Sequence, residues 1–437
     1  MTKQRRIMKL GAFWYPTGYH IAAWRHPDVM PGAGVDIQQC IDFAKLAEKA
    51  CFDFIFFADS LAVKGDDWHV LSRGAHRYVG QFEPITLLAA LSAATRNIGL
   101  IATASTTYHH PYHLARQFAS LAHISNGRVG WNLVTSQNPF ESKNFGNEIF
   151  PPHDERYKRA EEFVDVVQGL WQSWDADAFS YNKQSGEFFD VRKMRPLNHN
   201  GLFFQVRGPL NIPACPGGPP IIVQAGTSEA GRRLAARTCD VIFSAQYDFL
   251  AAQQEYHGLK QQARAFSRDA GKPVIMTGIL PFIGSTEKKA QDRYEEFQSL
   301  IDESVGLSFL EMQLGGIDLS HYDLDGPLPS LPLTEGSQSK QQRIVSMAQE
   351  QKLSIRQLYR HLAGSRGHKL LIGSPRKIAD HMEHWFREHA ADGFNIMAPW
   401  LPGGMDDFVE LVIPELKRRG LIRSNYIGST LRSYLEM

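Results

Sequence analysis

The segment Gln224-Ala-Gly-Thr-Ser-Glu-Ala-Gly231 carries the clearest chemical signal in the chain. An apolar run ends in glycine, and two hydroxyl residues then open a segment of helical period. Free backbone N–H groups at a helix start, joined by the hydroxyls of Thr227 and Ser228, form a cradle for a phosphate. The plainer alternative is an ordinary helix cap by either residue. Other polar groups stand at the ends of apolar runs: Asp59, the stretch Thr103–His110, Asn132, Thr135, Ser136, Ser244, Gln246 and Trp400. Most are neutral hydrogen-bonding groups, a set that suits a polar heterocycle better than a metal ion.

The histidines support that reading. His109-His110-x-x-His113 is interrupted by Pro111 and has no carboxylate or cysteine close by, so it reads as a strand-to-helix turn and no metal is expected. His381, His384 and His389 are expected on a solvated helix face. His153 and Tyr157, four apart, share one face of a first helical turn whose cap is expected to be Asp154. Both carry donors that could reach a ligand, although capping and solvation alone would also explain them. Asp59 could serve as a general base or as a hydrogen-bond anchor. No Gly-x-Ser-x-Gly elbow, P-loop or strand-associated GxGxxG is present.

These residues need a scaffold, and alternation supplies one. Apolar runs at 10–15, 54–58, 98–104, 128–134, 220–225, 241–245, 274–283 and 394–400 read as strands. Helical periods follow them at 36–51, 84–95, 112–124, 155–174, 228–237, 249–270, 288–305, 376–391 and 406–418. The pattern predicts a (β/α)8 TIM barrel, with an open doubly wound sheet as the alternative. The whole chain, 1–437, is expected to be one decorated barrel. Insertions are expected at about 137–219, containing a hairpin, and at about 306–369, where 323–339 is rich in Pro, Gly and Ser and reads as a loop or lid.

Composition narrows the class. Lys and Arg total 47 against 46 Asp and Glu, so no strong field draws the chain to nucleic acid or an anionic membrane. The four cysteines are scattered and form no CxxC. No apolar stretch approaches the roughly 20 residues of a membrane span. A cytoplasmic protein with reduced thiols is expected.

Several ordered motifs resemble the bacterial-luciferase-like flavin monooxygenases, and within them the group of nitrilotriacetate, EDTA and dibenzothiophene-sulfone monooxygenases. They include Trp24-Arg-His-Pro27, Phe54-Ile-Phe-Phe-Ala-Asp59, Phe82-Glu-Pro84, Ser125-Asn-Gly-Arg-Val-Gly-Trp-Asn-Leu-Val-Thr-Ser136 and His153-x-x-Arg-Tyr157. Gly208-Pro-Leu-Asn211, Gln224-Ala-Gly-Thr-Ser228 and Ala391-Asp-Gly-Phe394 extend the likeness over nearly the whole chain.

The resemblance implies a monooxygenase that uses diffusible reduced FMN, delivered by a separate NAD(P)H-dependent flavin reductase, and O2 to oxidise a small molecule, a sulfur compound or an aminopolycarboxylate. It places Asp59 near the flavin ring and Thr103 and Asn132 at its polar edge. It assigns Tyr157, Thr227 and Ser228 to the phosphate and His153 to the ribityl–phosphate arm. That puts the phosphate after the fourth and fifth strands, whereas barrels more often bind it after the seventh and eighth. His20 and His321 match active-site positions in relatives, where either could move a proton. Phe13, Trp14, Phe56, Phe57, Trp68 and Trp400 are candidates to exclude water. Lys64, Arg73, His76 and Arg77 could meet a substrate carboxylate or could be solvated loop charges. A homodimer is implied as well. The alternatives are a deazaflavin-dependent oxidoreductase of the same superfamily and a non-catalytic flavin-binding protein.

Overall fold

The computed structural model describes residues 6–74, 78–146, 150–226, 228–269, 271–333 and 338–436. Its strands are β1 (Lys9–Trp14), β2 (Phe54–Phe57), β3 (Gly99–Ser105), β4 (Val129–Val134), β5 (His199–Asn200), β6 (Gln205–Val206), β7 (Ile221–Gln224), β8 (Val241–Ser244), β9 (Val274–Ile283), β10 (Lys369–Gly373) and β11 (Gly393–Ile396). The ring runs β1-β2-β3-β4-β7-β8-β9-β11 and returns to β1, with every pairing parallel. This is a closed (β/α)8 TIM barrel.

Every residue of β1, β2, β3, β7, β9 and β11 is buried. Helices cover the outer face and side chains fill the inner one, so these strands read as unbroken apolar runs. The period of two sorts them. Phe13, Phe56, Ile101, Val223, Val241 and Met276 pack together inside the ring. Ala12, Trp14, Ile55, Phe57, Leu100 and Ile242 face outward into the core shared with the helices.

The helix starts follow local chemistry. Asp36 caps Ile37–Lys49, Glu83 caps Pro84–Ala94, and His110 caps Pro111–Ser125. Ser374 caps Pro375–Arg387, with proline in the first turn. The long helix His153–Trp171 departs from expectation. Pro152 holds its cap position, with no side-chain cap bond, and Asp154 lies inside the first turn. There its carboxylate still faces the positive end of the helix.

Three further departures concern the second half of the chain. The helix expected over 288–305 is two, Glu287–Ser299 and Glu303–Gln313. Asp302 makes the break, because its carboxylate accepts from the N–H groups of Ser304 and Val305 and starts a new helix. The last strand ends at Ile396 rather than at Trp400. The run Lys-Leu-Leu-Ile-Gly373, which begins where the expected insertion of about 306–369 ends and was not among the expected strands, is β10. It pairs with the outer half of β9, Lys369 opposite Ile279 through Gly373 opposite Ile283, outside the closed ring.

Between β4 and β7 the chain forms the small antiparallel hairpin β5–β6. Between β9 and β10, helices Glu303–Gln313, Gln338–Glu350 and Ile355–Ser365 build a satellite core around Phe309, Leu310, Leu358 and Tyr359. Among the described residues no helix is long and apolar enough to cross a membrane.

Candidate active site

The helix after β7, Glu229–Thr238, begins at Ser228, whose Oγ accepts from the Gly231 N–H at 3.1 Å. Tyr157, buried in the first turns of the long helix, brings a second hydroxyl to the same point. A Cβ built on Gly231 would lie 2.8 Å from Tyr157 Oη and 3.1 Å from Ser228 Oγ. One built on Gly226 would lie 3.1 Å from Tyr157 Oη. Two glycines thus keep open a space bounded by two hydroxyls and the N-terminus of a helix, which is the chemistry of a phosphate cradle. Thr227 lies outside the described residues. The His153 ring sits 4.7 Å from that of Tyr157, and its Nδ1 lies 3.1 Å from Asp154.

A polar chain continues from the cradle over the neighbouring strands. Asn132 Nδ2 donates to Thr103 Oγ1 at 2.8 Å, and Thr103 Oγ1 donates to the Phe57 carbonyl at 2.7 Å. Asn132 Oδ1 and, on β7, Gln224 Oε1 are buried and accept no hydrogen bond. Each is an acceptor aimed into protein without a donor, a costly state unless a ligand completes it. Asp59, beyond β2, receives a long hydrogen bond from Gln81 Nε2 at 3.5 Å. Burial, with the Glu83 carboxylate adding to it, pushes its carboxyl up to about 7 despite the Ser60 N–H that favours the anion.

Other strand-end residues serve the walls. Ser105 and Ser136 share a hydrogen bond of 2.6 Å. Arg156 donates to the carbonyls of Thr135 and Ser136. Ser244 donates to Glu255, and Gln246 N–H donates to Ser244 Oγ. His109 Nδ1 bonds the Ser105 carbonyl. His381 is half-buried beside Trp385 rather than solvated, and burial pulls it down to about 4.

Aromatic rings fill the opposite sector, between β1 and β8. Phe13 lies 5.4 Å from Phe56 and 6.2 Å from Phe243, with Tyr19 edge-on to it at 5.4 Å. Trp400 packs on Phe297 at 5.0 Å at the end of this cluster. Of the other expected walls, Trp14 and Phe57 face the helices, and Trp68 is 71% exposed. The turn after β1 places the next groups. Gly18 has φ +104, and a Cβ there would meet the Trp400 Cα at 2.2 Å, so only glycine fits.

This turn buries His20 against Phe282 and Phe297. Its Nδ1 accepts from Ala22 N–H at 3.2 Å, which leaves the proton of the neutral ring on Nε2. Nε2 is buried without a partner. Burial, and then the charge of Arg366, pulls His20 down to about 3.

His321, expected beside the active site, instead lies on an exposed loop, 86% accessible and 3.6 Å from Asp318. Arg73 is paired with Asp302 at 3.1 Å, and His76 and Arg77 lie outside the described residues. Three residues of the mouth carried no sequence signal. Arg366 places its guanidinium over Tyr15 and Tyr19, and His368 stacks on Phe243. Tyr78 is half-buried nearby, close enough to interact with the charge of Arg366. Arg366 and His368 come from the connection into the strand that was missed.

The barrel and this mouth set a glycine-lined space with two hydroxyls at a helix start on one side and an aromatic sector on the other. The family model for luciferase-like monooxygenases matches residues 17–393. The chain is 49% identical to an N-acetyl-S-(2-succino)cysteine monooxygenase of Bacillus subtilis (strain 168), over 99% of this chain and 97% of that protein. It is 43% identical to nitrilotriacetate monooxygenase component A of Aminobacter aminovorans, over 98% and 96%. The structure of a riboflavin lyase with modified FMN and substrate riboflavin superposes with a TM-score of 0.86 at 30% identity, covering 99% of this chain and 96% of that one. The chain belongs to the luciferase-like monooxygenase family and is a flavin-dependent monooxygenase.

Proposed function

We propose that this chain is the oxygenase component of a two-component system. It takes reduced, diffusible FMN from a separate NAD(P)H-dependent flavin reductase and uses O2 to oxidise a small sulfur compound or aminopolycarboxylate. A cytoplasmic homodimer is part of the proposal. The observation that carries it is the alignment of cradle and orphaned acceptors. Tyr157 and Ser228 bound the glycine-lined space, and Asn132 Oδ1 and Gln224 Oε1 await donors on the adjoining strands. These groups fit a flavin's phosphate at one end and ring N–H groups at the other.

Bound there, reduced FMN supplies the electrons that activate O2, one oxygen atom going to the substrate and the other to water. The protein's own part is positioning and exclusion. Tyr157 and Ser228, with Thr227 and His153, hold the phosphate arm. Thr103 orients Asn132 toward the ring, and Asp59 sits beside it. Phe13, Phe56, Phe243 and Trp400 keep water from the reacting sector. His20 offers one proton, on Nε2, from a ring that stays neutral at physiological pH.

The test mixes the protein anaerobically with photoreduced FMN, then with aerated buffer, under stopped flow. A flavin absorbance transient that outlives free-flavin reoxidation supports the oxygenase reading. Reoxidation at the free-flavin rate, with and without N-acetyl-S-(2-succino)cysteine, would remove it.

A further inference from the structure

The ring order divides the mouth into two sectors. The cradle lies beyond β4 and β7, and Asn132, Thr103 and Asp59 extend it across β4, β3 and β2. β1 and β8 bound the sector left over, and Arg366 enters it from the insertion. Its guanidinium carbon stands 4.7 Å from the centre of the Tyr15 ring and 4.3 Å from that of Tyr19. The Tyr15 hydroxyl hydrogen-bonds it, and Tyr78 lies close enough to act on its charge. Stacking on aromatic faces holds a guanidinium in place, and its planar fork of five N–H donors can meet an anion as well as the Tyr15 hydroxyl.

The backbone supports a dedicated placement. Arg366 has φ +50 at the C-terminus of helix Ile355–Ser365, where it takes the left-handed position that glycine usually fills. That conformation is unfavourable for a residue that bears a side chain. Gly367 follows directly at φ +85, so two successive left-handed residues turn the chain out of the helix and set the direction of Arg366. Two residues on, the His368 ring stacks on Phe243 at 5.5 Å. His368 also borders a cavity of about 330 Å3, which Arg343, His361 and Lys369 help to line. No carboxylate stands among the described lining residues of that cavity. The approach from the insertion is therefore basic, whereas the acids Asp59 and Glu83 stand together on the flavin side.

We propose that Arg366 receives a carboxylate of the substrate, so that the chain acts on small carboxylated thioethers or amines in preference to neutral sulfides or alkanes. This rests on the oxygenase reading, since it takes the sector beside the flavin site as the substrate's place.

The first measurement is calorimetric titration of the FMN-loaded protein with succinate and with its uncharged counterpart succinamide. Succinate is expected to bind at least about tenfold more tightly. Equal binding, or none by either, would overturn the proposal without any variant. Arg366→Gln is expected to erase the preference and to raise KM for N-acetyl-S-(2-succino)cysteine at least about tenfold, with FMN affinity unchanged. Arg366→Lys, which keeps charge but loses the planar fork, should fall between. Variants that lose kcat and FMN affinity while keeping succinate affinity would assign Arg366 a structural role instead. Faster turnover of dimethyl sulfide than of the succinylated thioether by wild type would sink the proposal and leave the oxygenase reading intact. Failure of the flavin transient with succinate preference retained would do the reverse.

Discussion

Asn132 and Thr103 stand side by side on β4 and β3, and the amide of the first donates to the hydroxyl of the second at 2.8 Å. Thr103 is itself fixed by the Phe57 carbonyl, so the amide is held with Oδ1 buried and unpaired. Asn132→Leu removes that buried orphan at nearly equal volume. Unfolding titrations without flavin should show stability unchanged or slightly raised. FMN affinity, followed by quenching of flavin fluorescence, should fall about tenfold or more. A variant that binds FMN as wild type does would exclude Asn132 from the flavin site.

Gly231→Ala puts a methyl group into the space between Tyr157 and Ser228. Alanine favours a helix over glycine by about 1 kcal/mol, so the fold should not suffer from the backbone change. FMN affinity is expected to drop by about tenfold or more, with riboflavin affinity nearly unchanged, since riboflavin has no phosphate. Equal losses for the two flavins would place the phosphate elsewhere.

Asp59 links stability to pH in one direction. Its folded carboxyl, pushed up to about 7 by burial, holds a proton that the unfolded chain has already lost. Its contribution is greatest below the ordinary carboxylate range and is lost as pH rises through about 7. The unfolding free energy of wild type relative to Asp59→Asn, from denaturant titrations, should therefore fall between about pH 5 and about pH 8 by an amount on the order of a few kcal/mol. A difference that stays flat over that range would show the carboxyl to be ordinary.

His20 works the opposite way. Its folded imidazole resists protonation down to about 3, whereas the unfolded ring takes a proton near 6.5. The stability it contributes is present above 6.5 and lost as pH falls below that value. Relative to His20→Gln, wild type should weaken on acidification from about pH 7 to about pH 4. The wild-type pH–rate profile should contain no step from His20 near neutrality, and pH-titrated ring proton shifts of this residue can verify that directly.

The barrel was legible because its strands are covered on both faces and so announce themselves as apolar runs. The hydroxyl at the start of the helix after β7 was legible from the Gly-Thr-Ser pattern, which an ordinary cap shares, and Ser228 is such a cap. Which face each aromatic presents was not. Trp14 and Phe57 look like Phe13 and Phe56 in sequence, and the period of two turns them outward. The substrate sector was less legible still. Arg366 and His368 carry no motif, and their place depends on β10, five residues whose partner lies about 90 positions earlier in the chain. Gln224 was visible only as part of the cradle motif, because nothing local shows that its carbonyl oxygen is left without a donor.

The attachment of β10 to the outer half of β9 bears on timing. Because β9 is itself a fully buried stave of the ring, the arginine-bearing connection is tied to the barrel wall and not suspended from a swinging flap. Amide protons of Leu370 to Ile372 should persist in deuterated solvent on the timescale of global opening. Substrate must then be received by a preset arginine, and any gating has to occur in the loops around it.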